Sequence, residues 1–402
     1  MKTGEIMHRA LGIAFDRMGT TSPNPAVGAV IVKEGRVIAS GGTCPYGSSH
    51  AEIMAINAAR EDLGGAEMYV TLEPCNHYGK TPPCTEAIIK SGITRVYLPI
   101  LDPNPLVAGK GVKRLKEAGV DVIIMNEFAP AAADLIRPFK KNILRKTPFI
   151  LHKSAITLDG RIATEKGDSR WISSPSSRFI VHKLRAKVDA VIIGKNTVAA
   201  DNPSLTVRFD DFDDAARKIV TDPEAAIQGR KNFFIRSLLE REIETCRQPL
   251  RVLAGIPDSL DSSASFLSDD NYVVFEKKSR LETMRERDEK KFLSKLNLVA
   301  IEPDDQVGYI KSLLRWLSEK GIMFAMLEGG GKLAGSFLDA GEIDQFTYFI
   351  APRIAGKGIP SIAGAGSDFM ADTLMVRDVS TVMIGDDIFF NGYREAYNFE
   401  MM

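Results

Sequence analysis

The residues of this chain best suited to chemistry are His50, Cys75 and Cys84, with Glu52 two positions after the histidine and Pro74 directly before the first cysteine. One imidazole and two thiolates make three protein ligands for Zn2+. A tetrahedral ion then keeps one corner for water, which is the arrangement of a catalytic rather than a structural site. Zinc brings the pKa of such a water toward neutrality, so hydroxide becomes available. Protons must then move between that water and whatever group leaves. Glu52 sits at a helix start beside His50, where it faces the same pocket without ligating the metal. Cys84 opens a helix, and the positive end of the macrodipole favours thiolate there. Any one of these residues alone reads as a buried inert cysteine or a capping histidine; the joint pattern reads as a catalytic zinc. Cys44 and Cys246 are left over as packing or loop thiols.

A second constellation lies downstream. Leu327-Glu328-Gly329-Gly330-Gly331-Lys332-Leu333-Ala334-Gly335 turns from strand to helix. A glycine run there lets a phosphate approach the backbone N–H groups at the helix start. It satisfies G-x-G-x-x-A, but no acidic residue about 20 positions on completes the Rossmann fingerprint, so a different dinucleotide fold fits better. Arg185 and Arg208 have the guanidinium geometry that binds oxyanions bidentately, although surface ion pairs are the alternative reading of both.

Helix and strand signals alternate along most of the chain, which indicates an α/β protein with largely parallel sheets. Strands over 27–32, 36–40, 68–72, 95–100 and 120–124 alternate with helices over 51–60, 84–91 and 111–118, after a first helix over 5–18. A helix-like stretch over 130–144 leads to Thr147-Pro148, where a domain boundary is expected. The zinc domain is then 1–146 and the second domain 147–402. In the latter, strands over 149–156, 190–194, 250–254, 272–275, 296–301, 322–327, 343–351 and 379–384 alternate with helices over 175–187, 307–320 and 332–340. Ser174-Pro175 has the form of an N-cap followed by proline at the first helical position. Residues 209–248 open on Phe209-Asp210-Asp211-Phe212-Asp213-Asp214 and are expected to be a solvated surface insertion.

Length and composition narrow the function classes. The 402 residues suit two or three domains. Lys plus Arg and Asp plus Glu are 52 each, so the net charge is zero and the chain lacks the general attraction that non-specific nucleic-acid binding uses. No run approaches the roughly 18 apolar residues that a membrane span needs. The N-terminal stretch has no signal-peptide pattern, and four cysteines are too few for a disulfide scaffold. A reducing cytoplasm is the expected compartment, with neither nucleic acid nor membrane as partner.

A histidine and two cysteines with a non-ligating glutamate is the division of labour in zinc deaminases. Generic members of that class have two residues between the cysteines; here Pro74-Cys75-Asn76-His77-Tyr78-Gly79-Lys80-Thr81-Pro82-Pro83-Cys84 has eight. With Thr21-Ser22-Pro23-Asn24-Pro25-Ala26-Val27-Gly28 and Asp102-Pro103-Asn104-Pro105, this loop closely resembles the deaminase half of the bifunctional deaminase/reductase family of riboflavin biosynthesis. The resemblance spans residues 5–125. It implies that His50, Cys75 and Cys84 hold zinc and that Glu52 shuttles protons. It further implies that Asn24, Asn76, His77, Asp102 and Asn104 hydrogen-bond the pyrimidine and ribose, and that Lys80 pairs with the 5′-phosphate. The family usually has a histidine seven residues before the zinc histidine; this chain has Thr43.

The second half, from Pro148 to about residue 385, resembles the reductase domain of the same family. The matching stretches are Lys153–Ala163, Ser169–Ser173, His182–Arg185, Thr197–Arg208 and Glu328–Gly331. The implied fold class is α/β: an N-terminal cytidine-deaminase-like three-layer domain plus a C-terminal dihydrofolate-reductase-like domain. NADPH contacts are implied for Ala155, Trp171, Thr197, Asp201 and the loop Gly329, Gly330, Gly331, Lys332, Leu333, Ala334, Gly335 and Ser336. Substrate contacts are implied for Ser169, Arg185, Leu205, Arg208 and Glu328. Lys153 is a candidate for polarising the ribose oxygen or imine. The expected reactions are hydrolytic removal of the 2-amino group from 2,5-diamino-6-ribosylamino-4(3H)-pyrimidinone 5′-phosphate, then NADPH-dependent reduction of the ribosyl chain to ribityl. Relatives form homo-oligomers, and the same is expected here. One alternative is a zinc deaminase of another base or nucleotide fused to a pterin-type reductase. Another is a chain whose reductase half has lost turnover.

Overall fold

The computed structural model describes residues 2–78, 82–217, 232–243, 246–258, 260–261, 263–286 and 290–396. Two compact units result. The first runs to Lys146 and takes in the helix Phe233–Glu240 from much later in the chain; the second begins at Thr147.

The first unit is built on strands β1 (Gly28–Lys33), β2 (Arg36–Gly42), β3 (Glu67–Val70), β4 (Arg95–Leu98) and β5 (Asp121–Ile124). They pair in the order β2-β1-β3-β4-β5, with β1 antiparallel to both neighbours and the β3-β4-β5 side parallel. Its helices include α1 (Thr3–Arg17), α2 (Ala51–Ala58), α3 (Cys84–Lys90), α4 (Lys110–Glu117), α5 (Ala129–Leu135) and α6 (Arg137–Arg145). Two glycines show why the unit has three layers. Successive strand residues point to opposite faces, and Gly28 pairs with Gly42 while Ala29 pairs with Gly41. A Cβ on Gly28 would lie 2.0 Å from the Ala10 carbonyl oxygen of α1, whereas one on Gly41 would lie 2.4 Å from the Ala55 nitrogen of α2. The two helices therefore cover opposite faces, each close enough to exclude a side chain. The stripe Ile6, Met7, Ala10, Leu11, Ala14 and Phe15 of α1 is fully shielded from water, and Val30, Ile31 and Val70 form the sheet centre between the helices.

The second unit holds β6 (Phe149–Thr157), β7 (Arg161–Thr164), β8 (Ala190–Gly194), β9 (Leu250–Ala254), β10 (Tyr272–Lys277), β11 (Leu298–Ile301), β12 (Phe324–Leu327), β13 (Gln345–Ala351), β14 (Gly358–Pro360), β15 (Arg377–Ile384) and β16 (Asp387–Tyr393). Nine of them form one sheet in the order β11-β10-β9-β8-β12-β6-β13-β16-β15. It is parallel as far as β13, and β16 runs antiparallel to both β13 and β15. A core of Ile150, Ile192, Val252, Phe275 and Leu327 meets Ile310, Leu313, Leu314 and Leu317 from the helix Gln306–Glu319 and Phe337 from the helix Gly331–Asp339. Helix α7 (Pro175–Lys187) starts as its sequence predicts: the Ser174 hydroxyl accepts from the Ser177 N–H at 3.2 Å, with proline in the first turn. Strands β7, β14 and β16 lie outside the sequence-based expectation.

The stretch 209–248 corrects a second expectation. Asp210, Asp211, Asp213 and Asp214 are exposed as expected, but other described parts are packed rather than solvated. Phe209 and Phe212 pack their rings on Phe179 of α7, with centroids 5.7 and 5.5 Å away. The helix Phe233–Glu240 buries Phe234, Ile235, Leu238 and Leu239 and joins the first unit. Its Phe234 N–H donates to Asp134 at 2.8 Å, its Phe234 ring lies 5.9 Å from Phe15, and Arg241 grips Asp16 through two bonds of 3.0 and 2.6 Å. The charged run hides an apolar face that needs a partner, and α1 and α5 supply it. Phe234→Ala is expected to destabilise the first unit by about 3–4 kcal/mol, seen as an earlier thermal transition for zinc-domain probes with the second unit's transition unchanged.

Candidate active site

The first site is assembled by the ends of three elements. His50 is the N-cap of α2, Cys75 follows β3 by a short turn, and Cys84 is the first residue of α3. The His50 Nδ1 lies 3.6 Å from Cys75 Sγ and 3.4 Å from Cys84 Sγ, and the three ligand atoms fall within 4.8 Å of one another. A tetrahedral zinc with about 2.3 Å to sulfur and about 2.0 Å to nitrogen has ligand edges of roughly 3.5 Å, so the donor set and its spacing fit that ion. Protonation follows the geometry. A hydrogen bond from Cys84 pulls the Cys75 thiol down to about 4. The same shared proton, with burial, pushes Cys84 well up. A metal takes both sulfurs as thiolates. The hydrogen bond to Cys75 raises His50. Glu52, in the first turn of α2 and only 4% exposed, is pushed up to about 7, chiefly by burial and then by the charge on Cys75. A carboxyl that titrates near neutral pH is suited to taking and returning a proton.

Of the expected substrate contacts of this half, Asn24, Asn76, Asp102 and Asn104 have partners of their own. Asn76 Oδ1 accepts from the Thr85 hydroxyl at 2.9 Å, which ties the Cys75 turn to the residue after Cys84. Asp102 is buried, and burial lifts it to about 6 against the opposing Asn104 N–H bond. That bond, 2.8 Å to Asp102 Oδ1, and a 3.1 Å bond from the Leu106 N–H to Asn104 Oδ1 fold 102–106 into a tight turn. Asn24 closes its own turn through its backbone on Thr21. His77 is exposed, and Lys80 lies outside the described residues. Thr43 is buried, and its hydroxyl accepts from the Val27 N–H at 3.1 Å; it holds Pro25–Gly28 to the end of β2. The sequence reading passed over Glu73, a buried carboxylate beside the Cys75 turn that accepts four backbone N–H bonds.

The second site lies at the carboxyl ends of adjacent parallel strands, where ligands of open α/β sheets bind. Leu327 of β12 pairs with His152 of β6, so Glu328 comes beside Lys153, and Ala155 shares that strand face. Glu328 takes a bidentate grip from Arg185 at 2.7 and 3.0 Å and lies 3.5 Å from the Lys153 ammonium. Burial resists its ionisation, but Arg185 and Lys153 outweigh that and hold it at about 2. Burial pushes Lys153 down, with Glu328 opposing. Arg208 is more exposed; its guanidinium binds Asp211, Ser204 and Thr206, and its backbone N–H donates to His182 Nδ1 at 2.9 Å. Leu205 is buried with φ +58°.

The glycine loop divides its work. The Gly330 N–H donates to the Thr197 hydroxyl at 3.3 Å, which joins the β12 turn to the helix Lys195–Asp201 after β8. Gly331 and Gly335 instead admit a second backbone: a Cβ on either would lie 2.2 Å from the carbonyl oxygen of Pro360 or Ala363. Leu333 covers Gly329, Ala334 is fully buried in the core, and Ser336 donates to the Lys332 carbonyl at 3.0 Å. Trp171 is 62% exposed with the Arg178 guanidinium 4.3 Å above its ring. Asp201 accepts Arg170 on its carbonyl at 3.5 Å, and Ser169 is half-buried.

Comparison with known proteins gives these two sites a common context. The family described as "RibD C-terminal domain" matches residues 148–390, and "Cytidine and deoxycytidylate deaminase zinc-binding region" matches residues 2–99. The riboflavin biosynthesis protein RibD of Aquifex aeolicus is 38% identical over 390 residues, covering 96% of this chain and 98% of its own. The chain belongs to the RibD family. The RibD of Bacillus amyloliquefaciens is 36% identical over 95% of this chain and 94% of its own. Among solved structures, Acinetobacter baumannii RibD in form 1 superposes with a TM-score of 0.77 at 33% identity, covering 97% of this chain and 98% of that one. The Thermotoga maritima deaminase/reductase gives 0.75 at 33% identity, covering 97% of each chain. As a RibD-family protein this chain is a bifunctional deaminase and reductase of riboflavin biosynthesis, with a cytidine-deaminase-like zinc-binding domain and a RibD reductase domain. A deaminase of another substrate fused to a pterin-type reductase does not account for full-length RibD relatives. Among the described residues no helix is long and apolar enough to cross a membrane.

Two histidines of this RibD reductase unit set a pH prediction. Burial, with Lys153 beside one and Arg185 beside the other, holds His152 and His182 at about 3. Both stay neutral when folded and regain ordinary values near 6.5 when unfolded. Below that the unfolded chain binds more protons, so stability is flat above about pH 6.5 and falls toward acid by about 1.4 kcal/mol per pH unit for each titrating histidine. The second unit's thermal midpoint should decline from about pH 6.5 to 5, and replacing both histidines with asparagine should flatten that decline.

Proposed function

We propose that the domain of residues 1–146 deaminates 2,5-diamino-6-ribosylamino-4(3H)-pyrimidinone 5′-phosphate and that the domain of residues 147–402 reduces the ribosyl chain of the product with NADPH. The observation that carries the first step is the triangle of His50 Nδ1, Cys75 Sγ and Cys84 Sγ with the buried Glu52 beside it. A zinc ion held by those three atoms supplies the Lewis acidity that makes water a nucleophile near neutral pH. Glu52 takes the proton that water gives up and delivers it to the 2-amino nitrogen, so water adds at the ring carbon and ammonia leaves. Asn24, Asn76, His77, Asp102 and Asn104 orient the pyrimidine and ribose, and Lys80 takes the 5′-phosphate.

In the second step NADPH supplies a hydride that no side chain can. That hydride would go to C1 of the opened ribose chain. Thr197, Trp171, Asp201 and Ala155, together with the loop Gly329–Ser336, hold the cofactor. The N–H groups at the start of the helix Gly331–Asp339 would be the donors for its phosphates. Ser169, Arg185, Leu205, Arg208 and Glu328 hold the substrate. Lys153 polarises the reacting oxygen or imine; Glu328, at 3.5 Å, keeps its ammonium in place. The protein works as a homo-oligomer in the cytoplasm.

The decisive variant is Glu52→Gln. It should keep zinc, lower ammonia release by about 10²–10⁴-fold, and leave NADPH oxidation with the deaminated intermediate intact. Ammonia release at the unmodified rate from this variant would end the proton-carrier assignment. Undiminished ammonia release after exhaustive chelation would end the metal reading as well.

A further inference from the structure

Glu73 follows β3 and precedes the Pro74-Cys75 turn, and its side chain is 3% exposed. The N–H groups of Asp102 and Gly109 donate to its Oε2 at 3.1 and 2.8 Å. Those of Gly111 and Val112 donate to its Oε1 at 2.9 and 3.1 Å. Three of these donors belong to the start of α4, where an N-cap side chain would ordinarily satisfy the free N–H groups. The residue in that place, Gly109, has none, and its φ of +81° sets the turn into the helix. The fourth donor opens the Asp102–Asn104 turn. The two carboxylate oxygens are rigidly joined, so one side chain fixes both turn and helix against the segment that carries Cys75. The approach is close on the backbone too: a Cβ on Gly111 would lie 2.1 Å from the Pro74 carbonyl oxygen.

We infer that Glu73 is a positioning residue of the deaminase: it sets the distance between the pocket wall carrying Asp102 and Asn104 and the turn carrying Cys75, and so governs substrate fit rather than metal retention. His50 and Cys84 are anchored separately, by the start of α2 and the start of α3, and Cys75 is tied to the latter by the 3.4 Å bond from the Cys84 N–H to its Sγ. This inference rests on the reading that Asp102 and Asn104 line the pyrimidine pocket.

Glu73→Gln in the full-length, zinc-loaded chain tests it. Glutamine keeps the volume but offers one oxygen and an NH2 group, so two of the four N–H donors face another donor. Expected are unchanged zinc per chain, an unchanged reductase rate, and a deaminase KM raised about tenfold with kcat within about threefold. An unchanged KM, or zinc lost in step with activity, overturns the assignment. Asp102→Asn is measured alongside. If it raises KM and Glu73→Gln does not, the positioning role falls while the pocket reading stands; if neither raises KM, both fall. Amide exchange in the unaltered protein gives a reading without any variant. The Gly109, Gly111 and Val112 amides should be protected like those of β3, and exchange at the pace of exposed loop amides would overturn the proposal.

Discussion

One cation can be shared by three ligand atoms only if three remote pieces of backbone stop moving relative to one another, to within about 0.5 Å. Here His50 and Cys84 are 34 positions apart and must meet at 3.4 Å. The sheet of the first unit exists, in functional terms, to meet that constraint. Gly28 and Gly41 remove the side chains that would hold α1 and α2 away from it. Helix α2 then starts where His50 must stand and carries Glu52 one position into the buried side of its first turn. The turn after β3 and the start of α3 complete the triangle through a 3.4 Å bond from the Cys84 N–H to Cys75 Sγ. That bond and the start of α3 both stabilise negative sulfur, so the fold favours the ligand-competent ionisation of Cys75.

The reductase crevice answers a different constraint, that of keeping charge in a dry place. Glu328 with Arg185 and Lys153 puts two cations against one anion, and side-chain exposures of 9–15% leave little water to share the load. An isolated charge so buried is costly, and removing one partner of such a set leaves the others unpaired. The set survives because each bond is well made: the guanidinium fork on Glu328 is bidentate and its remaining arm reaches the Thr206 carbonyl at 3.3 Å. The surplus positive charge is then complementary to an anionic ligand. His182, kept neutral by burial, adds a polar contact to Arg208 without adding to that charge.

What the sequence made legible was whatever depends on neighbours in the chain. The strands β8, β9 and β12 and the helix α7 read from short apolar runs and an N-cap. The zinc ligands read from residue type, because few other tasks call for one histidine and two cysteines in that setting. Glu73 was not readable, since its meaning lies in donors 29 to 39 positions away. The helix Phe233–Glu240 misread for a related reason: its flanking charges signal water, while the surface that buries Phe234 belongs to α1 and α5, with Asp134 of α5 100 positions earlier in the chain. β16 escaped because Gly385-Asp386 reads as the end of the last strand; at φ +60° Gly385 is the turn that sends the chain back between β13 and β15.

Three little-exposed glutamates of this chain show that environment, not residue type, assigns chemical duty. Glu328 faces two cations, which hold its proton off down to about 2; it can organise charge but cannot donate a proton under ordinary conditions. Glu73 has both oxygens committed to four backbone N–H groups, and so ties the turn at Asp102 and the start of α4 to its own segment. Glu52, 4% exposed, lacks such a ring of donors or cations, and burial with a neighbouring thiolate brings it to about 7. Glu52 can therefore exchange its proton near neutrality, which Glu328 cannot. Geometry agrees: it stands in the first turn of the helix that His50 caps.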